Sequence, residues 1–200
     1  IIGLPFTGFT FVPLSLFNPD KIADFARFLD VKPGEKIFSQ PMDEDNQVIF
    51  KVDADIASAI DGKFILRDIV FSPKGWITAA ADDNPADTGL YLNITGNRVG
   101  ILNFRDGKLR FFNRFEFETA DELAYYAAFV TGELKQQPQD ITVVVSGDVL
   151  TGDENMKRLS EFFGKVELNQ LQPVALPDQA PPHTVLSLTA LSLCGSSVAN

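Results

Sequence analysis

Two short stretches of this chain hold residue types from which a phosphate site could be built. The first is Leu92-Asn93-Ile94-Thr95-Gly96-Asn97, a strand-like run ending in a glycine turn. Glycine lets backbone amides approach an anion, and Thr95-Gly96 keeps part of such a loop. A carboxylate at the position of Asn93 would organise hydrated magnesium. Asn93 offers one neutral oxygen instead and lacks the charge that holds magnesium against water. The second stretch is Val145-Ser146-Gly147-Asp148. Gly147 and Gly152 have Walker spacing, but Asp153-Glu154 follows where Lys-Ser/Thr is required, and two acids repel a triphosphate. Each stretch also has a plainer reading, which is preferred here: a hairpin turn for the first, a tight strand-to-helix connection for the second.

The remaining reactive side chains form no constellation. His183 is the single histidine and sits beside Pro181-Pro182, so it is expected at the surface and cannot build a His-rich metal site. Asp82, Asp83 and Asp87 lack calcium-loop spacing and read as a solvated loop. Cys194 is the single cysteine, forms no internal disulfide, and is expected to act as a small hydrophobe. Asn93-Ile94-Thr95 matches a glycosylation sequon but lies in a strand-like run and is discounted. Tyr125-Tyr126 reads as helix core rather than a ligand cage. No catalytic residue and no metal site are assigned.

Composition narrows the classes. With 45% hydrophobic and 22% charged residues in 200, disorder is excluded for most of the chain. Eighteen phenylalanines against three tyrosines and one tryptophan indicate core filling rather than a base-stacking surface. A net charge of −10 with 17 scattered Lys and Arg argues against nucleic acid as a partner. The most apolar stretch, 185–194, is too short to span a bilayer, so no membrane insertion is expected. A single cysteine fits a reducing compartment, and the expected location is cytoplasmic. The chain opens at Ile1-Ile2-Gly3 without methionine, which leaves room for residues upstream.

The elements that must position these residues are clearest in the second half. Strands are expected at 90–95, 99–104 and 109–117, joined by Gly96-Asn97 and by Asp106-Gly107, whose residues tolerate positive φ. Thr119 and Glu122 form a capping box for a helix over 120–134. In it, Leu123, Tyr126, Ala127, Val130 and Leu134 follow helical spacing, and Tyr125 and Phe129 add a second stripe expected to be buried. The β-branched run 141–145 marks a strand covered on both faces. A helix over 153–163, a strand at 165–168 and a last helix within 184–194 complete a three-stranded meander extended by crossover-linked parallel strands. This is the order of an RNase H-like unit.

The first half reads as a shortened version: strand 6–12, helix 18–29 capped by Asn18-Pro19, strand 47–52, helix 54–60, strand 63–71 and a helical turn within 73–81. Its two opening strands would lie upstream of Ile1. The Asp-, Asn-, Pro- and Gly-rich stretch 82–89 reads as the boundary. The expected organisation is therefore α/β: a first RNase H-like lobe over 1–81 lacking its opening hairpin, a linker at 82–89, and a second lobe over 90–200. Two such units in tandem make an actin-like ATPase superfamily fold.

Three segments sharpen this. Phe11-Val12-Pro13-Leu14-Ser15-Leu16-Phe17 is similar to a VPxxLF signature. The run from Asp106-Gly107-Lys108-Leu109 through Asn113-Arg114-Phe115-Glu116 and Thr119-Ala120-Asp121-Glu122 to Tyr125-Tyr126 forms a second block. Ser146-Gly147-Asp148 after the buried strand forms a third. Together they resemble a bacterial family, domain of unknown function 3822, over most of the chain from Phe11 to Cys194. The resemblance implies an actin-like ATPase fold and carries no activity with it. In actin-like ATPases the nucleotide lies between the lobes, held by the first hairpin of each. The resemblance therefore makes Asn93, Thr95, Gly96, Ser146 and Gly147 the residues of a degenerate nucleotide site. No cofactor is expected, with ATP and magnesium as the alternative ligand. The leading expectation is a non-catalytic scaffold or adaptor for an unidentified protein partner, of open oligomeric state. The alternatives are an ATPase or phosphotransferase using an acid upstream of Ile1, and an assembly part like the actin-like subunits of pilus or secretion platforms.

Overall fold

Along the computed structural model, which describes residues 1–64, 68–177 and 179–195, the first strand is Ile2–Leu4 (β1). It belongs to a unit formed by Ile1–Gly75 together with the tail from Leu191. Gly8–Pro13 (β2), Lys36–Pro41 (β3) and Asn46–Val52 (β4) make an antiparallel sheet in the order β2-β4-β3. Central β4 is buried from Gln47 to Val52, as a strand covered on both faces must be. A separate parallel pair joins β1 to Ile69–Phe71 (β5). Phe6, Phe9 and Phe50 each lie within 5.4 Å of the Phe71 ring, so the phenylalanine supply does fill core here.

The helices of this unit are short. Asn18 accepts from the Asp20 N–H at 2.9 Å, as a cap should, but the helix expected over 18–29 is broken into three pieces. A 3-10 turn at Pro19–Lys21 and another at Arg27–Leu29 flank Ile22–Ala26 (α1). Only Ala26 is buried, so little packing holds a regular helix together. Ala54–Ile60 (α2) forms as expected, capped by Asp53. β1 and β3 were not foreseen. β3 is an edge strand of mixed polarity ending in proline, which gives no clean alternation. Of the strand expected over 63–71, the described residues form β5 alone, and 65–67 lie outside them.

An ion pair closes the loop ahead of β3. The Lys51 ammonium donates to Glu35 at 2.9 Å and to the Asp30 carbonyl at 2.9 Å, with both charged side chains only 8% exposed. The Lys32 N–H, Lys51 and the Thr7 hydroxyl hold the Glu35 carboxyl down from the ordinary 4.5 to about 2. A depressed carboxyl pKa contributes stability that is present above 4.5 and is lost as pH falls toward 2. Glu35→Gln is therefore expected to weaken this unit at neutral pH and to flatten its acid-unfolding profile between those limits. Chemical denaturation across pH 2–6 checks this; a profile as steep as in the parent would contradict it.

The chain passes into the second unit, Trp76–Ala190, within helix Lys74–Asp82 (α3). Gly89–Thr95 (β6), Arg98–Arg105 (β7) and Lys108–Glu116 (β8) form the expected meander, with positive φ at Gly96, Asp106 and Gly107 in its turns. Ala120–Glu133 (α4) leads to Thr142–Gly147 (β9), Glu154–Phe162 (α5), Lys165–Leu168 (β10) and Pro182–Thr189 (α6), which continues as a 3-10 turn. The five strands lie in the order β10-β9-β6-β7-β8, with β6, β9 and β10 mutually parallel. Leu92, Ile94, Val143 and Val145 turn to one face, where they join Leu123, Ala127, Val130 and Leu159 of α4 and α5 in an apolar cluster. Tyr91, Asn93, Val144 and Ser146 turn to the other face, and α6 packs against β9.

Three details depart from expectation. Tyr125 and Phe129 stack on each other but are 63% and 48% exposed, so α4 is buried along one stripe and not two. Glu122 accepts from the Glu118 N–H at 2.7 Å rather than from Thr119, which shifts the capping box by one residue. The boundary expected at 82–89 falls at Gly75/Trp76 instead. The cause is Trp76, 1% exposed, whose ring meets Phe112 of β8 edge-on at 6.2 Å. Buried Asn103 then donates to the Asp87 and Gly89 carbonyls, tying the 82–89 stretch into the second unit.

Candidate functional site

All five residues expected at a nucleotide site come together at one end of the five-stranded sheet. The parallel register pairs Asn93 with Ser146 and Ile94 with Gly147. Thr95 and Gly96, at the β6–β7 turn, are exposed. Crevices at the carboxyl ends of parallel strands, at the point where strand order reverses, are the usual ligand sites of α/β sheets. β6 stands at such a point, with β7 and β8 following on one side and β9 and β10 on the other.

Side-chain partners decide what this place can do. The Gly96 N–H donates to the Asp148 carboxylate at 2.9 Å, while the Asp148 N–H donates to the Ile94 carbonyl at 2.8 Å. The turn amide that would receive a phosphate oxygen is thus engaged by an acid of the same chain. Asn93 accepts from the Ser187 hydroxyl of α6 at 3.0 Å, so its one metal-competent oxygen is engaged as well. Ser146 is fully buried, and its hydroxyl has no hydrogen-bond partner among the described residues. Asn93 offers a magnesium ion no carboxylate, and a phosphate oxygen at the Gly96 N–H would stand beside the Asp148 carboxylate, which repels phosphate though not magnesium. Among the described residues, no group of three or more His, Cys, Asp or Glu could hold a metal ion.

The second stretch is equally occupied by structure. Gly147 has φ +93°, and a side chain there would press on the Ile94 backbone. Asp153, which breaks the Walker pattern, caps α5 by accepting from the Met156 N–H at 2.8 Å and from the Leu150 N–H at 2.9 Å. His183 is not at the surface. It is 7% exposed, and its Nε2 donates to the Val149 carbonyl at 3.1 Å, pinning the loop after β9 to α6. Prolines before it suggested a linker, but they stand at the start of α6, where proline is at home. Asp148 itself was missed as a site residue; its place one residue after Gly147 was the available signal. Cys194 is half-buried, and burial pushes its thiol pKa up, with Lys74 opposing; that suits an inert thiol.

The strand order of the second unit and the mixed α/β architecture define a protein with the actin-like ATPase fold. A crystal structure of a Bacteroides thetaiotaomicron VPI-5482 protein, described as having an actin-like ATPase fold and unknown function, matches with a TM-score of 0.75. It is 18% identical and is aligned over 93% of this chain and 70% of its own. Residues 2–166 match the family described as "Protein of unknown function (DUF3822)", and the chain belongs to that family. No curated protein matches the chain.

Proposed function

We propose that this protein is a non-catalytic adaptor of actin-like fold that binds another protein, with its β6–β7 hairpin retained as structure after losing its use as a phosphate loop. One observation carries this reading: the Asp148 carboxylate accepts from the Gly96 N–H at 2.9 Å, the turn amide that a phosphate loop would offer to its ligand. Asn93, tied to Ser187, supplies no negative charge to magnesium. The single, unpaired cysteine is in keeping with a reducing, cytoplasmic setting. Among the described residues no helix is long and apolar enough to cross a membrane.

Melting with and without Mg-ATP tests the proposal. A ligand present at 100 times its dissociation constant stabilises the native state by about 2.7 kcal/mol. That would raise Tm by roughly 5–11 °C for a protein of this size. The expected result is an unchanged Tm. A rise of that size, abolished by Asn93→Ala, would overturn the adaptor reading in favour of an ATP-binding enzyme.

A further inference from the structure

A second concavity lies elsewhere on the same unit, over the sheet face that carries Tyr91. It encloses about 500 Å³ and is lined by Tyr91 of β6, Val144 of β9, Glu167 of β10, Asn169 just beyond β10, and Asp83 after α3. Its floor follows from the pleat. Val143, Val145, Val166 and Leu168 turn to the apolar cluster under α4 and α5, so Val144 and Glu167 turn the opposite way, level with Tyr91.

The pocket runs along an open edge. β10 is the last strand of the sheet and has a ladder on one side only. Lys165 and Asn169 donate their N–H groups to the Ile141 and Val145 carbonyls of the β9 side. In an extended strand the alternate residues, Val166 and Leu168, therefore present their backbone groups outward. The Leu168 carbonyl is taken by the Gln170 side chain at 3.1 Å, which, among the described residues, leaves the Val166 N–H and C=O and the Leu168 N–H for a partner. A strand laid on this edge would place every second side chain beside Glu167, inside the pocket.

Charge and polarity select that side chain. Asp83 and Glu167 are the acids of the lining, and Lys165, 2.7 Å from Glu167, offsets only one of them. Both carboxylates act on the Tyr91 hydroxyl, which burial first of all, then Asp83 and Glu167, push above its ordinary pKa.

We propose that β10 and this pocket form a docking site for an extended segment of a partner protein, added as a sixth strand, with a Lys or Arg side chain seated between Glu167 and Asp83. The ladder supplies sequence-tolerant attachment and the pocket supplies selection, which is the division of labour in strand addition. Such an edge, only four residues long, binds little without the pocket. The site names the partner surface of the adaptor proposed above and rests on that reading for its biological sense. Its test is independent, because the Mg-ATP melt reports on the hairpin and a peptide titration reports on β10.

The probe is the acetylated, amidated peptide Val-Lys-Val-Lys-Val, with Val-Glu-Val-Glu-Val as its control, titrated into the isotope-labelled chain. Saturable shifts of the Val166 and Leu168 amide signals are expected with the lysine peptide, and at least about five-fold weaker binding with the glutamate peptide. Val166→Pro removes an outward donor on an edge strand, where proline is tolerated, and should abolish binding. Glu167→Gln leaves the edge intact and should weaken the lysine peptide by about five-fold. Equal binding of the two peptides, shifts at Tyr91 and Asn169 without any at Val166 and Leu168, or no shifts at millimolar peptide would each overturn the proposal.

Discussion

Replacing Gly147 with alanine is expected to cost the second unit about 3–5 kcal/mol, the largest loss from adding a single methyl group anywhere in its sheet. Two effects act together. A Cβ at this position would stand 1.9 Å from the Ile94 carbonyl oxygen and 2.8 Å from its carbon, and neither backbone atom can swing away. Gly147 also sits at φ +93°, which an L side chain rarely adopts. The close approach has a cause in the ladder: Gly147 is the register partner of Ile94, and the Ile94 carbonyl receives the Asp148 N–H as the chain turns out of β9. Gly96→Ala is the control, because φ is +56° there but nothing lies within 4 Å of the added carbon. It should cost only about 1 kcal/mol. Urea unfolding followed by circular dichroism separates the two, and equal losses would mean that backbone conformation alone sets the effect.

Trp76→Ala is expected to cost about 3–5 kcal/mol, as for other large-to-small changes in a closed core. Trp76 is the single tryptophan, 1% exposed, with Phe112 against one edge and the glycine face of Gly100 beneath its six-membered ring. Its indole Nε1 has no hydrogen-bond partner among the described residues, an uncommon state for a buried donor. Trp76→Phe keeps most of the ring contact and removes that donor, so it should cost less than about 1.5 kcal/mol. Both variants lose tryptophan fluorescence, so ellipticity is the readout. If Trp76→Phe destabilised as much as Trp76→Ala, the indole N–H would have a partner in solution that the fold does not show.

The second unit was legible because its signals agree across levels. Asp106-Gly107 fixed a hairpin, Thr119 a cap, and 141–145 a doubly covered strand, and each formed within a residue or two of its expected place. The first unit was less legible where strands are short or at an edge. β1 spans three residues, and β3 mixes Lys36, Ser39 and Gln40 with Ile37 and Phe38, so neither shows a period. The exposure of Tyr125 and Phe129 was misjudged because an aromatic stripe at helical spacing says which residues share a face, not whether anything covers that face.

At the candidate site, sequence supplied the residues and structure supplied their commitments. Asn93, Thr95, Gly96, Ser146 and Gly147 were proposed by position alone. Yet the adaptor proposal rests on a bond between residues 52 apart, from the Gly96 N–H to Asp148. A second is longer in sequence still, from Ser187 to Asn93 across 94 residues. Side-chain pairing at that separation leaves no local mark. His183 shows the same limit, since a bond to a carbonyl 34 residues away turned an expected surface histidine into a buried one.

The Gly96 amide proton is the most direct witness to the central claim, because it can serve either Asp148 or a phosphate and not both. Titrating the isotope-labelled chain with Mg-ATP to millimolar concentration should leave the Gly96 and Asn93 signals in place, while Asp148→Ala alone moves the Gly96 signal. Saturable movement of Gly96 and Asn93 in the parent chain at micromolar Mg-ATP would contradict the account.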